Sequence, residues 1–170
     1  MKKLDLTRLS IVIVEKHSPM RAMLRGMLRE LGVINISDYA TPEEGFQGFN
    51  DKEPDLVLID WAPDFDGLGL LQKIRRDEAS HNPFAPVIMV TAHSEAARVI
   101  QARDAGMTEY LAKPVSAKGL YQRISSIVET QRHFVRASQF FGPDRRRKAA
   151  DIPGEERRTR AVMPDHAAGA

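Results

Sequence analysis

Short apolar runs alternate with amphipathic stretches along the first three quarters of the chain. Residues 11–14, 56–59 and 86–90 are continuous apolar runs, as in strands that are buried on both faces. Residues 33–36 and 108–112 predict two further strands. The stretches between and after the strands carry apolar residues at helical spacing, most clearly Met20, Met23, Leu24, Met27, Leu28 and Leu31. The pattern therefore predicts five strand–helix units in succession.

Five such units predict an α/β fold with a parallel sheet. Because crossovers between parallel strands are right-handed, the pattern favours a flavodoxin-like, doubly wound, five-stranded sheet of order 2-1-3-4-5 with five helices. Ligands of such folds bind outside the carboxyl ends of the strands, beside the first and third strands. Glu15, Lys16 and Asp60 directly follow the apolar runs of those two strands.

Composition divides the chain into four segments. Residues 1–9 are predicted to be an N-terminal lead, residues 10–130 the α/β domain, and residues 131–141 an extension of the last helix. Residues 142–170 contain few large apolar side chains and are predicted to be a disordered basic tail. Residues 131–170 hold nine Lys and Arg against five Asp and Glu, whereas the rest of the chain holds 16 against 18. An anionic partner is therefore expected at the tail.

The absence of cysteine and of long apolar stretches indicates in which cellular compartment the protein is expected. The chain has no cysteine, which excludes disulfides and thiolate chemistry and favours a reducing compartment. No stretch approaches the ~20 apolar residues of a membrane span, and the first residues do not resemble a secretory signal. We expect a cytoplasmic protein with no membrane partner.

Three of the predicted strands end in groups that together can hold a phosphoryl group. Asp60 supplies a carboxylate, Thr91 a hydroxyl, and Lys113 an amine. Each alone is an ordinary polar residue at a strand end, but their joint position at one edge of a sheet favours a phosphoryl site. The five histidines show no ligand spacing, which argues against a transition-metal site.

These residues and their order resemble the receiver domain of bacterial two-component response regulators. The resemblance covers about residues 10–127, and Trp61 with the Met20-Arg21 pair favours the chemotaxis-like, single-domain branch. It rests on Ile13-Val14-Glu15, the run from Asp55 to Asp60, Asp66-Gly67, Val90-Thr91-Ala92, Ala105-Gly106 and Lys113-Pro114.

The resemblance implies a role for each matched position. Asp60 would accept a phosphoryl group from a histidine kinase or a phosphotransfer protein. Thr91 and Lys113 would bind phosphoryl oxygens, and Tyr110 occupies the position of the aromatic switch residue. The Lys113-Pro114 bond is expected to be cis. Signalling would then pass to a downstream protein target. DNA binding is not expected, and neither is enzyme activity beyond self-catalysed phosphoryl transfer.

The chain departs from the family at the metal side of this pocket. Glu15, Asp60 and the backbone carbonyl of Ala62 would surround Mg²⁺, but Lys16 stands where a second acid binds the ion directly. An ammonium ~5 Å from a divalent ion costs on the order of several kcal/mol at an effective dielectric of ~20. The loop from Asp60 to Gly67 is also one residue shorter than usual. The resemblance therefore implies an atypical acidic pocket with weakened Mg²⁺ binding.

Two mechanisms remain open. In the first, Asp60 is phosphorylated with weak or altered use of the metal. In the second, Lys16 pairs with Asp60, and the chain is a phosphorylation-independent pseudo-receiver adaptor. Trp61 is expected to be a partly exposed loop residue.

The tail carries two blocks of arginine. Arginine binds phosphates bidentately and reads the N7/O6 edge of guanine, so a cyclic dinucleotide is a candidate ligand of the tail. The alternative is a solubilising charged tail. The residues concerned are Arg145, Arg146, Arg147, Arg157 and Arg158.

Overall fold

The computed structural model describes residues 4–93, 95–130 and 133–144, together with the backbone of residues 159–161. Its main sheet contains five parallel strands in the order β2-β1-β3-β4-β5. These strands are β1 (Ser10–Val14), β2 (Asn35–Tyr39), β3 (Leu56–Asp60), β4 (Val87–Thr91) and β5 (Glu109–Ala112). Five helices alternate with them: α1 (Ser18–Glu30), α2 (Pro42–Lys52), α3 (Gly67–Arg76), α4 (Ala96–Asp104) and α5 (Ala117–Glu129). The predicted fold class and strand order are confirmed.

Both faces of the sheet are covered, which explains the unbroken apolar runs. Val12 and Val14 of β1 belong to one buried cluster, whereas Ile11 and Ile13 belong to the other. Successive strand residues point to opposite faces, so a strand covered on both sides is apolar at every position. Residues of α2, α3 and α4 fill the first cluster, among them Phe49, Leu71 and Ala102. Residues of α1 and α5 fill the second, among them Leu28 and Ile124.

The second strand lies two to three residues later than residues 33–36, where the apolar pattern predicts it. Val33 is buried, but it follows the turn at Gly32 and packs in the cluster beside α1. Its backbone N–H donates to the carbonyl of Leu28 and so closes the end of α1. The strand itself, β2, is an edge strand that is only half-buried, and its sequence is mostly polar.

The prediction that the last helix continues through residue 141 is wrong. Helix α5 ends at Glu129, and the chain forms the antiparallel strands β6 (Phe134–Ala137) and β7 (Phe140–Pro143). A third strand, β8 (Thr159–Ala161), pairs with the other side of β6. We call these three strands the C-terminal sheet, with order β7-β6-β8. Residues 142–143 and 159–161 therefore contradict a wholly disordered tail, and residues 145–158 and 162–170 lie outside the described part.

An aromatic cluster attaches the C-terminal sheet to the α/β domain. The ring centroids of Phe134 and Phe141 lie 5.2 and 5.4 Å from that of Phe84, in edge-to-face arrangements. Beneath these rings lies Arg75, which is 3 % exposed. Its guanidinium donates to the carbonyls of Pro83, Ala85 and Gly106 and stacks under Phe134. Burial lowers the pKa of Arg75 to about 9. The cluster lies at the amino ends of β4 and β5, opposite the strand ends that carry Asp60 and Thr91.

Within the described residues, no helix combines the length and the apolar character needed to cross a membrane.

Candidate functional site

One lysine joins two buried carboxylates at the carboxyl edge of the main sheet. Lys113 follows β5, and its bond to Pro114 is cis, as expected. Its Nζ lies 2.8 Å from Oδ1 of Asp60 and 2.8 Å from Oε2 of Glu15. Asp60 is 4 % exposed and Glu15 is 1 % exposed. We call Glu15, Asp60 and Lys113 the acidic edge.

The strand register explains why these groups meet. Strand β1 pairs in parallel with β3, and Val14 is the partner of Ile59. Glu15 and Asp60 come one residue later on their respective chains, so they lie side by side. Strand β4 lies on the other side of β3, with Val90 as the partner of Asp60, and Thr91 comes next. The sheet thus brings Glu15, Asp60, Thr91 and Lys113 together, as the sequence predicts.

The charges of the acidic edge shift each other's protonation. Burial raises the pKa of Asp60, the hydrogen bond from Lys113 offsets only part of this, and the charge of Glu15 raises it further. Burial also acts to raise the pKa of Glu15, but hydrogen bonds from the His17 backbone and from Lys113 outweigh it and leave that pKa below its ordinary value. Burial opposes the charge of Lys113, yet its bonds to Asp60 and Glu15 raise its pKa. The ammonium is therefore held charged beside Asp60, the more basic of the two carboxyl groups.

Thr91 and Tyr110 are connected through the loop that follows β4. Thr91 is fully buried, and its Oγ1 accepts a hydrogen bond of 3.0 Å from the backbone N–H of His93. The hydroxyl of Tyr110 donates to the backbone carbonyl of His93. Tyr110 itself is half-buried and packs against the core. A change in the contacts of Thr91 would therefore reach Tyr110 through a single residue.

Lys16 does not pair with Asp60. Its Nζ donates to Oδ2 of Asp64 at 2.7 Å, and the side chains of Lys16 and Asp64 are 49 % and 61 % exposed. The ion pair that the pseudo-receiver hypothesis assigned to Lys16 and Asp60 is instead made by Lys113. The reason is geometric, because Lys113 reaches Asp60 from the end of β5, across β4, with a side chain that is mostly buried, whereas Lys16 extends along the surface.

The shortened loop after β3 closes on itself. The carbonyl of Ala62 accepts a hydrogen bond from the backbone N–H of Phe65 at 3.0 Å, so one of its two lone pairs is occupied within the loop. Gly67 lies directly against β3, since a Cβ there would approach the carbonyl oxygen of Asp60 to 1.9 Å. Trp61 is 7 % exposed, with the guanidinium of Arg98 5.1 Å from its ring, so the expectation of a partly exposed loop residue is wrong.

This donor set does not fit a directly bound Mg²⁺. The ion requires near-octahedral oxygen ligands at short distance. Of the three protein ligands that the resemblance implies, the second acid is replaced by Lys16, and the carbonyl of Ala62 already accepts the N–H of Phe65. The remaining acid, Asp60, and its neighbour Glu15 both bind Lys113. The described residues contain no group of three or more His, Cys, Asp or Glu that could hold a metal ion.

Several contacts of the site could not be predicted from the sequence. The ring Nδ1 of His17 lies 3.0 Å from Oε1 of Glu15, which also accepts the His17 backbone N–H at 2.8 Å. Arg21 Nη1 donates to the carbonyls of Glu15 and Lys16 and so fixes the backbone after β1. The five arginines singled out in the tail lie outside the described residues.

The comparisons with known proteins agree with this architecture. Residues 11–125 match the response regulator receiver domain family. The chain is 32 % identical over 122 residues to the chemotaxis protein CheY of Pseudomonas aeruginosa, covering 71 % of this chain and 97 % of that protein. It is also 32 % identical over 122 residues to CheY-3 of Vibrio cholerae, covering 71 % of this chain and 92 % of that protein.

Solved structures give the same result. A response regulator from Chloroflexus aurantiacus superposes with a TM-score of 0.64 at 28 % identity, covering 72 % of this chain and 98 % of that one. A CheY-like receiver domain protein from Methanospirillum hungatei gives a TM-score of 0.62 at 25 % identity, covering 71 % and 94 %. The chain belongs to the response regulator receiver domain family, with a receiver of the chemotaxis-like type.

Proposed function

We propose that the chain is a phosphoacceptor of two-component signalling and that Asp60 is the residue phosphorylated by a histidine kinase or a phosphotransfer protein. The observation that carries the proposal is the contact of Lys113 Nζ with Asp60 Oδ1 at 2.8 Å inside a buried acidic edge. A carboxylate held beside a fixed ammonium can attack phosphorus while the charge that moves onto the phosphoryl group is neutralised.

In the proposed transfer, a carboxylate oxygen of Asp60 attacks the phosphorus of a phosphohistidine. The P–N bond breaks as the O–P bond forms, and the imidazole leaves with the bonding electrons and takes a proton from water. Burial raises the pKa of Asp60, which makes its carboxylate more basic and hence a better nucleophile once ionised. The hydroxyl of Thr91, which accepts from the His93 N–H, has its own proton available for a phosphoryl oxygen.

The same geometry suggests how the signal leaves the site. If Thr91 turns toward the phosphoryl group, its contact with the His93 backbone changes. The hydroxyl of Tyr110 is bound to that same residue. We propose Tyr110 as the switch residue, and a downstream protein that reads the surface around Tyr110 as the target. The chain would then act as a signalling module rather than as a metabolic enzyme.

Receiver domains typically bind Mg²⁺ in the acidic pocket, and we propose that this chain binds it weakly. Two features support the proposal, namely an ammonium at the position of the second acid and an engaged Ala62 carbonyl. A divalent ion ~5 Å from the Lys16 ammonium would cost on the order of several kcal/mol at an effective dielectric of ~20.

Phosphate incorporation tests the main proposal. The wild-type chain is incubated with acetyl phosphate, and intact mass spectrometry measures the addition of one phosphoryl group. We expect incorporation in the wild type and none in Asp60→Asn. The matched control is Asp51→Asn, at an exposed aspartate of α2, which should incorporate phosphate like the wild type. Equal labelling of Asp60→Asn and wild type would place the phosphoryl group elsewhere and refute the assignment.

A second candidate function concerns the arginine blocks. Arg145, Arg146 and Arg147 follow β7 closely in sequence, and Arg157 and Arg158 immediately precede β8. Since β7 and β8 both pair with β6, the segment that carries both blocks is anchored at its two ends to one sheet. We propose an anionic ligand for these blocks, for which a cyclic dinucleotide remains the candidate.

Calorimetry with cyclic di-GMP tests this second function. Deletion from residue 142 is unsuitable because Gly142 is buried in β7. Replacement of all five arginines by alanine avoids that damage. We expect heat of binding from the full chain and none from the replaced chain. If the full chain gives no heat of binding, the ligand hypothesis is refuted and the solubilising charged tail remains as the interpretation.

A further inference from the structure

Lys16 is fixed at its backbone and free at its side chain. Arg21 Nη1 donates to the Lys16 carbonyl at 2.9 Å and to the Glu15 carbonyl at 2.8 Å, and Arg21 Nε binds Asp38. The peptide after β1 therefore has little freedom. The Lys16 side chain, in contrast, is 49 % exposed and is described with a single partner, Asp64. Only the ammonium end of this residue can move easily.

The position of Lys16 lies one residue beyond the acidic edge. Val14 of β1 is the partner of Ile59 in β3, Glu15 lies beside Asp60, and Lys16 comes next. A lysine carries its charge on a flexible four-carbon stem, so the ammonium can cover a region around this point. In the structure it lies on the side of Asp64, which is four residues after Asp60 in the same loop.

The charge balance changes when Asp60 is phosphorylated. In the unphosphorylated site, Glu15, Asp60 and Asp64 face the two ammonium groups of Lys16 and Lys113. A phosphoryl group adds negative charge and strong acceptor oxygens at Asp60. Lys113 already binds both Glu15 and Asp60, so a further cation is needed. Lys16 carries a second ammonium beside the acidic edge, and its exposed pair with Asp64 is of a kind that contributes little to stability.

We propose that Lys16 is a phosphoryl-binding residue: its ammonium leaves Asp64 and binds a phosphoryl oxygen on Asp60, so that phosphorylation of this chain does not require a divalent cation. The proposal rests on the function proposed above. With acetyl phosphate as donor, the P–O bond to the acetyl group breaks, a bond from Asp60 oxygen to phosphorus forms, and acetate leaves with the bonding electrons. Lys16 takes no covalent part, and no other reactant is needed.

The exchange of partners also removes one contact of the loop after β3. Asp64 loses its ammonium partner when Lys16 turns to the phosphoryl group. The loop then keeps its internal contact between Ala62 and Phe65 and the burial of Trp61 and Phe65 in the core. Phosphorylation is thus expected to change the environment of Trp61, which begins the loop and is the one tryptophan of the chain.

The test compares phosphorylation by acetyl phosphate in EDTA and in millimolar Mg²⁺, followed by intact mass spectrometry. We expect the wild type to be labelled at rates that differ less than about threefold between the two conditions. Lys16→Ala should lose up to about a hundredfold in rate in EDTA, the lower end of the loss on removing a fixed charge-stabilising donor, because the Lys16 ammonium must first leave Asp64. Lys16→Arg, which keeps a cation, should recover most of that loss.

A matched control and a second readout complete the design. Lys52→Ala removes an exposed lysine at the end of α2 and should behave like the wild type. Lys16→Asp restores an acid, so titration with Mg²⁺ should change its Trp61 fluorescence and leave that of the wild type constant.

Wild-type labelling that occurs only with Mg²⁺ would overturn the inference while the phosphoacceptor function stands. Equal labelling of Lys16→Ala and the wild type in EDTA would also overturn it. Absence of labelling of the wild type under both conditions would instead remove the proposed function itself.

Discussion

Replacement of Phe134 by alanine is expected to detach the C-terminal sheet from a receiver domain that remains folded. Phe134 is 4 % exposed and packs against Phe84 and Phe141 with centroid distances of 5.2 and 5.6 Å. Truncation of a buried phenylalanine costs about 3–5 kcal/mol. The stacking with the Arg75 guanidinium at 5.1 Å adds up to about 2 kcal/mol in a desolvated position.

The loss in total stability should nevertheless be smaller than that sum. Once the C-terminal sheet has detached, the absence of the Phe134 ring lowers the stability no further, and the Arg75 guanidinium is again in contact with water. The measured loss is therefore capped by the free energy with which the sheet docks. The stability of the α/β domain and the docking of the C-terminal sheet can be measured separately. Trp61 lies in the α/β domain and reports on its unfolding, whereas amide exchange reports on β6 and β7 directly.

The assay combines urea denaturation followed by Trp61 fluorescence with hydrogen exchange of residues 134–143. We expect a marked loss of protection in β6 and β7 and a smaller fall in the unfolding free energy of the domain. Ile34→Ala, at a side chain that is 70 % exposed, is the control and should change stability by less than about 0.5 kcal/mol. Unchanged protection in Phe134→Ala would refute the view that this ring attaches the C-terminal sheet.

Three further predictions concern the domain itself. The fold raises the pKa of Asp60, so its ionisation lowers the stability of the protein above that pKa, and this loss disappears below the ordinary pKa of 3.8. Asp60→Asn should therefore have a higher melting temperature than the wild type at pH 7. In thermal scans the difference should close toward pH 3. Gly67→Ala would bring a Cβ to 1.9 Å from the Asp60 carbonyl oxygen, so it should lower the melting temperature and slow phosphorylation, whereas Gly26→Ala, with open space at its Cβ, should do neither. Thr41→Ala removes the side-chain oxygen that accepts the Glu44 N–H at 3.2 Å and should cost about 1 kcal/mol in urea denaturation.

The sequence predicted the central sheet because its signal is local. A strand buried on both faces is apolar on both sides, and β1, β3 and β4 each contain four consecutive apolar residues. The convergence of Asp60, Thr91 and Lys113 then follows from parallel topology alone, since the carboxyl ends of parallel strands share one edge. The weaker strand β2 was misplaced because its edge position requires no continuous apolar run.

The C-terminal sheet could not be predicted in the same way. Phe134 and Phe141 are seven residues apart, which suits one face of a helix as well as a hairpin. The choice is made by distant residues, because Phe84 and Arg75 receive the two rings and β8 pairs with β6 from beyond residue 158. The partner of Lys16 was equally hidden, since Asp64 is 48 positions away.

Helix α4 connects the acidic edge with the C-terminal sheet. In its first turn, Arg98 lies over Trp61, the residue after Asp60. At its other end, Gly106 adopts a positive φ of 101° and approaches the Phe141 carbonyl so closely that a Cβ would lie 2.7 Å from that oxygen. The carbonyl of Gly106 also binds Arg75. Because a side chain would not fit between Gly106 and Phe141, we expect a shift of α4 to disturb the attachment of the C-terminal sheet. A shift of α4 is therefore expected to reach both the neighbourhood of Asp60 and the C-terminal sheet.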